Sequence, residues 1–250
     1  MTLTIFYPNE PMISLYVASA CQLACQECIM LSQMHQNPKY QMSMEEVENL
    51  LEINEISNYK FHYRLTGGEP FLWKNLLPAM RLIKNSKTCL SLSIITNAIN
   101  ISKVNDELIE LSDCIRISKY RYNHENCEYL EKKYPDTVLV VDRETFCKNP
   151  KLPVMNSIPV DCGNPEIMFY NNRIYACPHA ESIAIKFRVD DIKLYNELKP
   201  NYKEGLEEIR KTQEKQLCTR CIGNSHVRNA MEKVPNYNSH DPELIQILKK

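Results

Sequence analysis

Cys21-Gln22-Leu23-Ala24-Cys25-Gln26-Glu27-Cys28 carries three thiols in one short run, directly after a strand-like stretch at residues 13–17. Such close spacing lets a single loop wrap a metal centre with three thiolates. Two centres suit it: a four-iron cube that keeps one iron open for another ligand, or a zinc ion completed by His35 or a distant cysteine. A second set follows late in the chain. Cys162 and Cys177 flank a hairpin-like stretch, and Cys218-Thr219-Arg220-Cys221 adds a CxxC pair. Four thiolates close a tetrahedral set, which suits structural zinc or a fully ligated iron–sulfur cluster.

Cysteine usage supports ligation over cross-linking. The 250 residues hold eleven cysteines, an odd number, and the N-terminus lacks the basic and apolar regions of a secretory signal. Reduced thiols in a cytoplasmic protein are the expectation. Cys89, Cys114, Cys127 and Cys147 lie in or beside core-like stretches and read as buried, inert thiols. Formal net charge is −1, so no broad basic field points to nucleic acid or an anionic membrane. No apolar run approaches the ~18 residues of a membrane span.

A third motif stands between the cysteine sets. Thr66-Gly67-Gly68-Glu69-Pro70 ends a second strand-like run at residues 61–65, and the whole chain has only five glycines. Paired glycines at a strand end let backbone approach a ligand closely, and Glu69 offers an acceptor for an ammonium group.

The elements that carry these motifs alternate in type. Further strands are expected at 90–95, 114–118 and 138–141. Helices are expected after the Ser43-Met44-Glu45-Glu46 capping box and at 76–84, 104–111 and 125–133. Strands separated by helices imply parallel pairing with right-handed crossovers, hence an α/β fold with an open sheet or partial barrel. Prolines at 150, 153, 159 and 165 then break the rhythm, and the domain boundary is expected between about 145 and 160. Residues 1–150 would form the barrel and 151–250 a smaller second domain, with a hairpin turning at Asn171-Asn172 and a helix near 203–214.

CxxxCxxC after the first strand together with GGEP after the second resembles the radical S-adenosylmethionine (radical SAM) superfamily over residues 12–142. The resemblance implies a partial (β/α) barrel with a [4Fe–4S] cluster on Cys21, Cys25 and Cys28. The open iron would chelate the methionyl amine and carboxylate of SAM, and Gly67, Gly68 and Glu69 would hold that same amine. Thr96-Asn97 after the third strand and Ser118 after the fourth are the further SAM contacts it implies. The reduced cluster then breaks the sulfonium bond, and a 5′-deoxyadenosyl radical takes hydrogen from a substrate. Glu27 stands where the family usually has an aromatic residue, and Ala98 where glycine usually follows Thr-Asn.

The late cysteines are similar to the short auxiliary-cluster module called twitch, found in dehydrogenases of aminoglycoside biosynthesis. Asn172 takes the place of the module's hairpin glycine and Cys177 follows five residues later. The resemblance thus implies two [4Fe–4S] clusters, a small polar substrate oxidised with the second cluster as electron acceptor, and a flavodoxin- or ferredoxin-type reductant. Strand-end residues Tyr120 and Arg143 are candidates to meet substrate. Cys147 would return a hydrogen atom if the reaction were an epimerisation. Peptide modification beside a separate partner is a third outcome within the superfamily, and a non-catalytic zinc or electron-transfer protein is the alternative outside it.

Overall fold

A computed structural model describes residues 11–23, 28, 30, 37, 39–142, 145–148, 166–189, 191–218 and 232–235. The chain runs β1 (Met12–Ala18), α1 (Met44–Ile56), β2 (Phe61–Gly67), α2 (Leu76–Lys84), β3 (Cys89–Thr96), α3 (Asp106–Leu111), β4 (Cys114–Lys119), α4 (His124–Lys133) and β5 (Val138–Asp142). It continues through β6 (Thr145–Lys148), β7 (Ile167–Tyr170), β8 (Arg173–Tyr175), α5 (Ala180–Phe187), β9 (Tyr195–Glu197), α6 (Leu206–Gln216) and β10 (Glu232–Pro235). One sheet of eight strands has the order β5-β4-β3-β2-β1-β7-β8-β9, and β6 pairs with β10 as a separate antiparallel ribbon. The first five strands are parallel to their neighbours, as the strand–helix alternation requires. The sheet is mostly parallel and remains open, an α/β part-barrel.

Residues paired across parallel strands share a face, so the register sorts the side chains. Ile13, Leu15 and Val17 on β1, Tyr63 and Leu65 on β2, Leu92 and Ile94 on β3, and Ile115 and Ile117 on β4 join one core with Val47, Leu50, Met80, Ile83 and Leu130 of the helices. The opposite face carries the row Met168, Ser14, Arg64 and Ser93. β1 is buried along its whole length. Central strands of this kind have both faces covered.

Local signals explain the boundaries. Ser43 Oγ accepts from Glu46 N at 3.1 Å while Ser43 N donates to Glu46 Oε2 at 2.8 Å, the reciprocal cap anticipated from the sequence; such caps contribute about 1 kcal/mol. Asn171 and Asn172 both have positive φ, 51° and 56°, the conformation a two-residue hairpin turn demands. α3 starts two residues later than expected, because a short 3₁₀ turn at 101–103 precedes it and Asn105 accepts from Leu108 N. α5 and β9 carry no strong periodic signal in sequence.

The hairpin expected of a separate appendix extends the barrel sheet instead. β7 lies parallel to β1, with Ser14 opposite Met168. Tyr202, just before α6, donates to Asn54 Oδ1 of α1 at 2.7 Å, and Asn54 donates to Tyr63 at 2.9 Å. This buried polar chain docks the late residues onto the first half of the fold.

Candidate active site at the strand ends

The ends of β1 and β2 are clamped together. Gly68 N donates to Ala18 O at 2.7 Å and Glu69 N to Ala20 O at 2.8 Å. A Cβ on Gly68 would stand 2.3 Å from Ala20 O and 2.6 Å from Ser19 O. Gly67 has φ +138°, and its Cβ would come within 2.5 Å of Ala18 O. Both positions therefore require glycine, and the contact they allow aims the chain into Cys21.

Glu69 is turned inward. It is 1% exposed, and its carboxylate accepts from Phe71 N at 3.0 Å, Thr96 Oγ1 at 2.6 Å and Asn97 N at 2.8 Å. Burial pushes the carboxyl up to about 7, although those three donors pull it down. The side chain that sequence reasoning aims at a ligand ammonium thus also fixes the end of β3. Ala98 adopts φ 49° with its N–H on Thr96 Oγ1, so an alanine takes a left-handed turn that favours glycine.

Asn97 joins this corner to the cysteine loop. Its Nδ2 donates to Cys21 Sγ at 3.7 Å and to Gln22 Oε1 at 3.4 Å. Cys21 Sγ also accepts from Leu23 N at 3.4 Å. Burial pushes the Cys21 thiol up to about 12, with Glu69 and Cys28 adding repulsion and the Leu23 and Asn97 donors opposing it. A lone thiol there stays protonated, whereas a metal would convert it to a ligating thiolate. Gln22 Nε2 is buried with no hydrogen-bond partner among the described residues. An orphaned donor on the residue next to Cys21 fits a bound group that accepts hydrogen bonds, such as the sulfides of an iron–sulfur cluster. Cys25 lies outside the described residues, and no group of three or more His, Cys, Asp or Glu with metal-holding geometry occurs among the described ones.

Sequence reasoning missed the residue that ties the next two strand ends together. Asn123, 2% exposed, donates to Asn97 O at 2.5 Å and to Ser118 O at 2.8 Å, while its Oδ1 accepts from Tyr120 N at 2.7 Å. Thr96, Asn97, Ser118 and Tyr120 thereby belong to one hydrogen-bonded rim. Arg143 lies outside the described residues, and Cys147 sits on β6 opposite Lys233 of β10.

The second cysteine set is described in part. Cys177 follows β8 and packs against Ala180, Ile183, Ala184 and Leu217. Leu217 adjoins Cys218, so one small apolar cluster holds both cysteine neighbourhoods. His179 N donates to Cys177 Sγ at 3.5 Å. Cys162 and Cys221 lie outside the described residues. Cys89, Cys114 and Cys127 are pushed up to about 11, burial being the main cause, as suits inert thiols.

Residues 12–132 match the family model of a 4Fe-4S single cluster domain. Among solved structures, BtrN in complex with AdoMet and 2-DOIA is similar with a TM-score of 0.61 and 15% identity, covering 84% of this chain and 92% of that one. BtrN in an open conformation gives a TM-score of 0.52 and 16% identity over 84% of this chain and 91% of that one. The chain shares the fold of these structures. Comparison with curated proteins by sequence gives no significant match. Among the described residues, no helix is long and apolar enough to cross a membrane.

Proposed function

We propose that this protein is a radical SAM dehydrogenase of a small polar, sugar- or cyclitol-like molecule. The observation that carries the reading is the backbone clamp of Gly68 and Glu69 on Ala18 and Ala20, which holds the glycine turn against the root of the cysteine loop. BtrN, similar in fold, was solved with AdoMet and 2-DOIA, which supports both SAM and an aminocyclitol-like substrate class.

Cys21, Cys25 and Cys28 would hold one [4Fe–4S] cluster, which when reduced supplies the electron that cleaves SAM to a 5′-deoxyadenosyl radical. Gly67, Gly68 and Glu69 would bound the site of the methionyl amine, with backbone carbonyls as acceptors. Thr96, Asn97 and Ser118 would form the rim beside the nucleoside. Cys162, Cys177, Cys218 and Cys221 would hold a second cluster; four thiolates leave no open position there for substrate.

Removal of hydrogen from a carbinol carbon leaves a radical that becomes a ketone by losing one proton and one electron. In this reading Arg143 would ease loss of the hydroxyl proton and Tyr120 would contact the substrate, while Cys162, Cys177, Cys218 and Cys221 would hold a group able to take up the electron. A flavodoxin- or ferredoxin-type protein would supply reducing equivalents to the first cluster.

Incubating the reduced, iron-loaded protein with SAM and 2-DOIA tests this reading. The expected product is two hydrogens lighter than the substrate. A product of unchanged mass that gains one solvent deuterium in deuterated water would instead establish epimerisation, with Cys147 as the hydrogen donor to examine.

A further inference from the structure

We propose that Asn97 is a positioning residue that tunes the reduction potential of the centre on Cys21, Cys25 and Cys28 through a hydrogen bond to the Cys21 sulfur; this rests on the cluster reading above. A carboxamide has two N–H donors and one oxygen. Both donors of Asn97 are committed, to Cys21 Sγ at 3.7 Å and Gln22 Oε1 at 3.4 Å, and its Oδ1 accepts from Ile99 N at 3.0 Å. Turning the amide over would set its oxygen against sulfur and the Gln22 carbonyl and its NH₂ against an N–H. The network therefore admits one orientation.

The backbone of Asn97 is equally constrained. Its N–H is held by the buried Glu69 carboxylate at 2.8 Å and its carbonyl by Asn123 at 2.5 Å. The residue is 6% exposed. Three separate strand ends thus converge to aim one amide at one ligand sulfur, and no N–H remains to serve a nucleoside. Donors to a ligating sulfur withdraw charge from it and favour the electron-rich reduced cluster. Glu69 supports the same geometry from behind.

The test is an anaerobic redox titration of the full chain, followed by electron paramagnetic resonance at the signal that responds to added SAM. Wild type is compared with Asn97→Ala and with Asn97→Asp, which keeps the size of the side chain and the acceptor for Ile99 N. Both variants should load iron as wild type does. Both should shift at least tenfold in the one-electron equilibrium toward the oxidised form, about 59 mV more negative. Asn97→Asp should shift further, because a carboxylate then faces the sulfur. Unchanged potentials at full iron content would overturn the proposal, as would loss of iron from both variants, which would make Asn97 a mere brace of the loop. A wild type that binds no iron would overturn the cluster reading itself, and the proposal with it.

Discussion

Arg64 of β2 and Glu166 at the entry to β7 are joined through both carboxylate oxygens at 2.9 Å, across a sequence separation of 102 residues. Both side chains are nearly buried, 11% and 8% exposed, and Ser14 Oγ donates to the same carboxylate. The pair crosses from the early strands to the hairpin that leads to Cys177, and Arg210 of α6 reinforces it by donating to Ala176 O at 2.6 Å. Removing one partner of a buried pair leaves an uncompensated charge, so Arg64→Met should cost about 3–5 kcal/mol. Arg64→Met with Glu166→Leu should recover more than half of that loss. Urea unfolding of the single and double variants checks it; equal losses in both would show that the pair is not the source of the stability.

Gly68→Ala should damage the site more than the fold. The added Cβ meets Ala20 O at 2.3 Å and Ser19 O at 2.6 Å, and backbone atoms cannot give way as a flexible side chain can. A loss of about 1–3 kcal/mol is expected from overpacking, together with lower iron loading after anaerobic reconstitution. Wild-type iron content in this variant would contradict the clamp as the device that sets the cysteine loop.

Glu69 should make stability fall as pH rises. Its carboxyl is raised from 4.5 to about 7, chiefly by burial, so the folded state binds a proton that the unfolded state has released between those values. Stability is then full below pH 4.5, declines through that window and levels above pH 7. The difference from Glu69→Gln, which stays neutral, should change by at most roughly 3.4 kcal/mol across the window, at 1.36 kcal/mol per unit. Denaturant unfolding of the apoprotein at pH 5 and pH 7.5 measures it. A pH-independent difference would mean that the carboxylate is ionised throughout.

The strand–helix order, the capping box at Ser43 and the Asn171-Asn172 turn were legible because each is a local pattern with its own chemistry. The glycine pair was legible for a related reason: a chain so poor in glycine places two together only where backbone must touch backbone. The partners of Glu69 were not legible. Its acidic character suggested a ligand, but only the close passage of Thr96 and Asn97 reveals three donors around it. Asn123 and Arg64 were missed for the same reason, since a buried amide or ion pair is defined by residues distant in sequence. The joining of β7 to β1 also escaped, because a four-residue strand carries no signal of its neighbour.

Two clusters should give about eight irons per chain after reconstitution. Replacing Cys21, Cys25 and Cys28 together with alanine should leave about four, held by the late cysteines. Iron and acid-labile sulfide analysis, with zinc measured in parallel, decides the count. Zinc in place of the remaining iron would assign the late set to a structural metal.

If the cysteine loop and glycine turn together support reductive cleavage of SAM, 5′-deoxyadenosine formation reads it out. Reduced, iron-loaded protein should convert SAM to 5′-deoxyadenosine and methionine in equal amounts, even slowly without substrate, and the triple cysteine variant should form none. Absence of 5′-deoxyadenosine from fully loaded wild type, or its formation at the same rate by the triple variant, would contradict SAM cleavage at the cysteine loop.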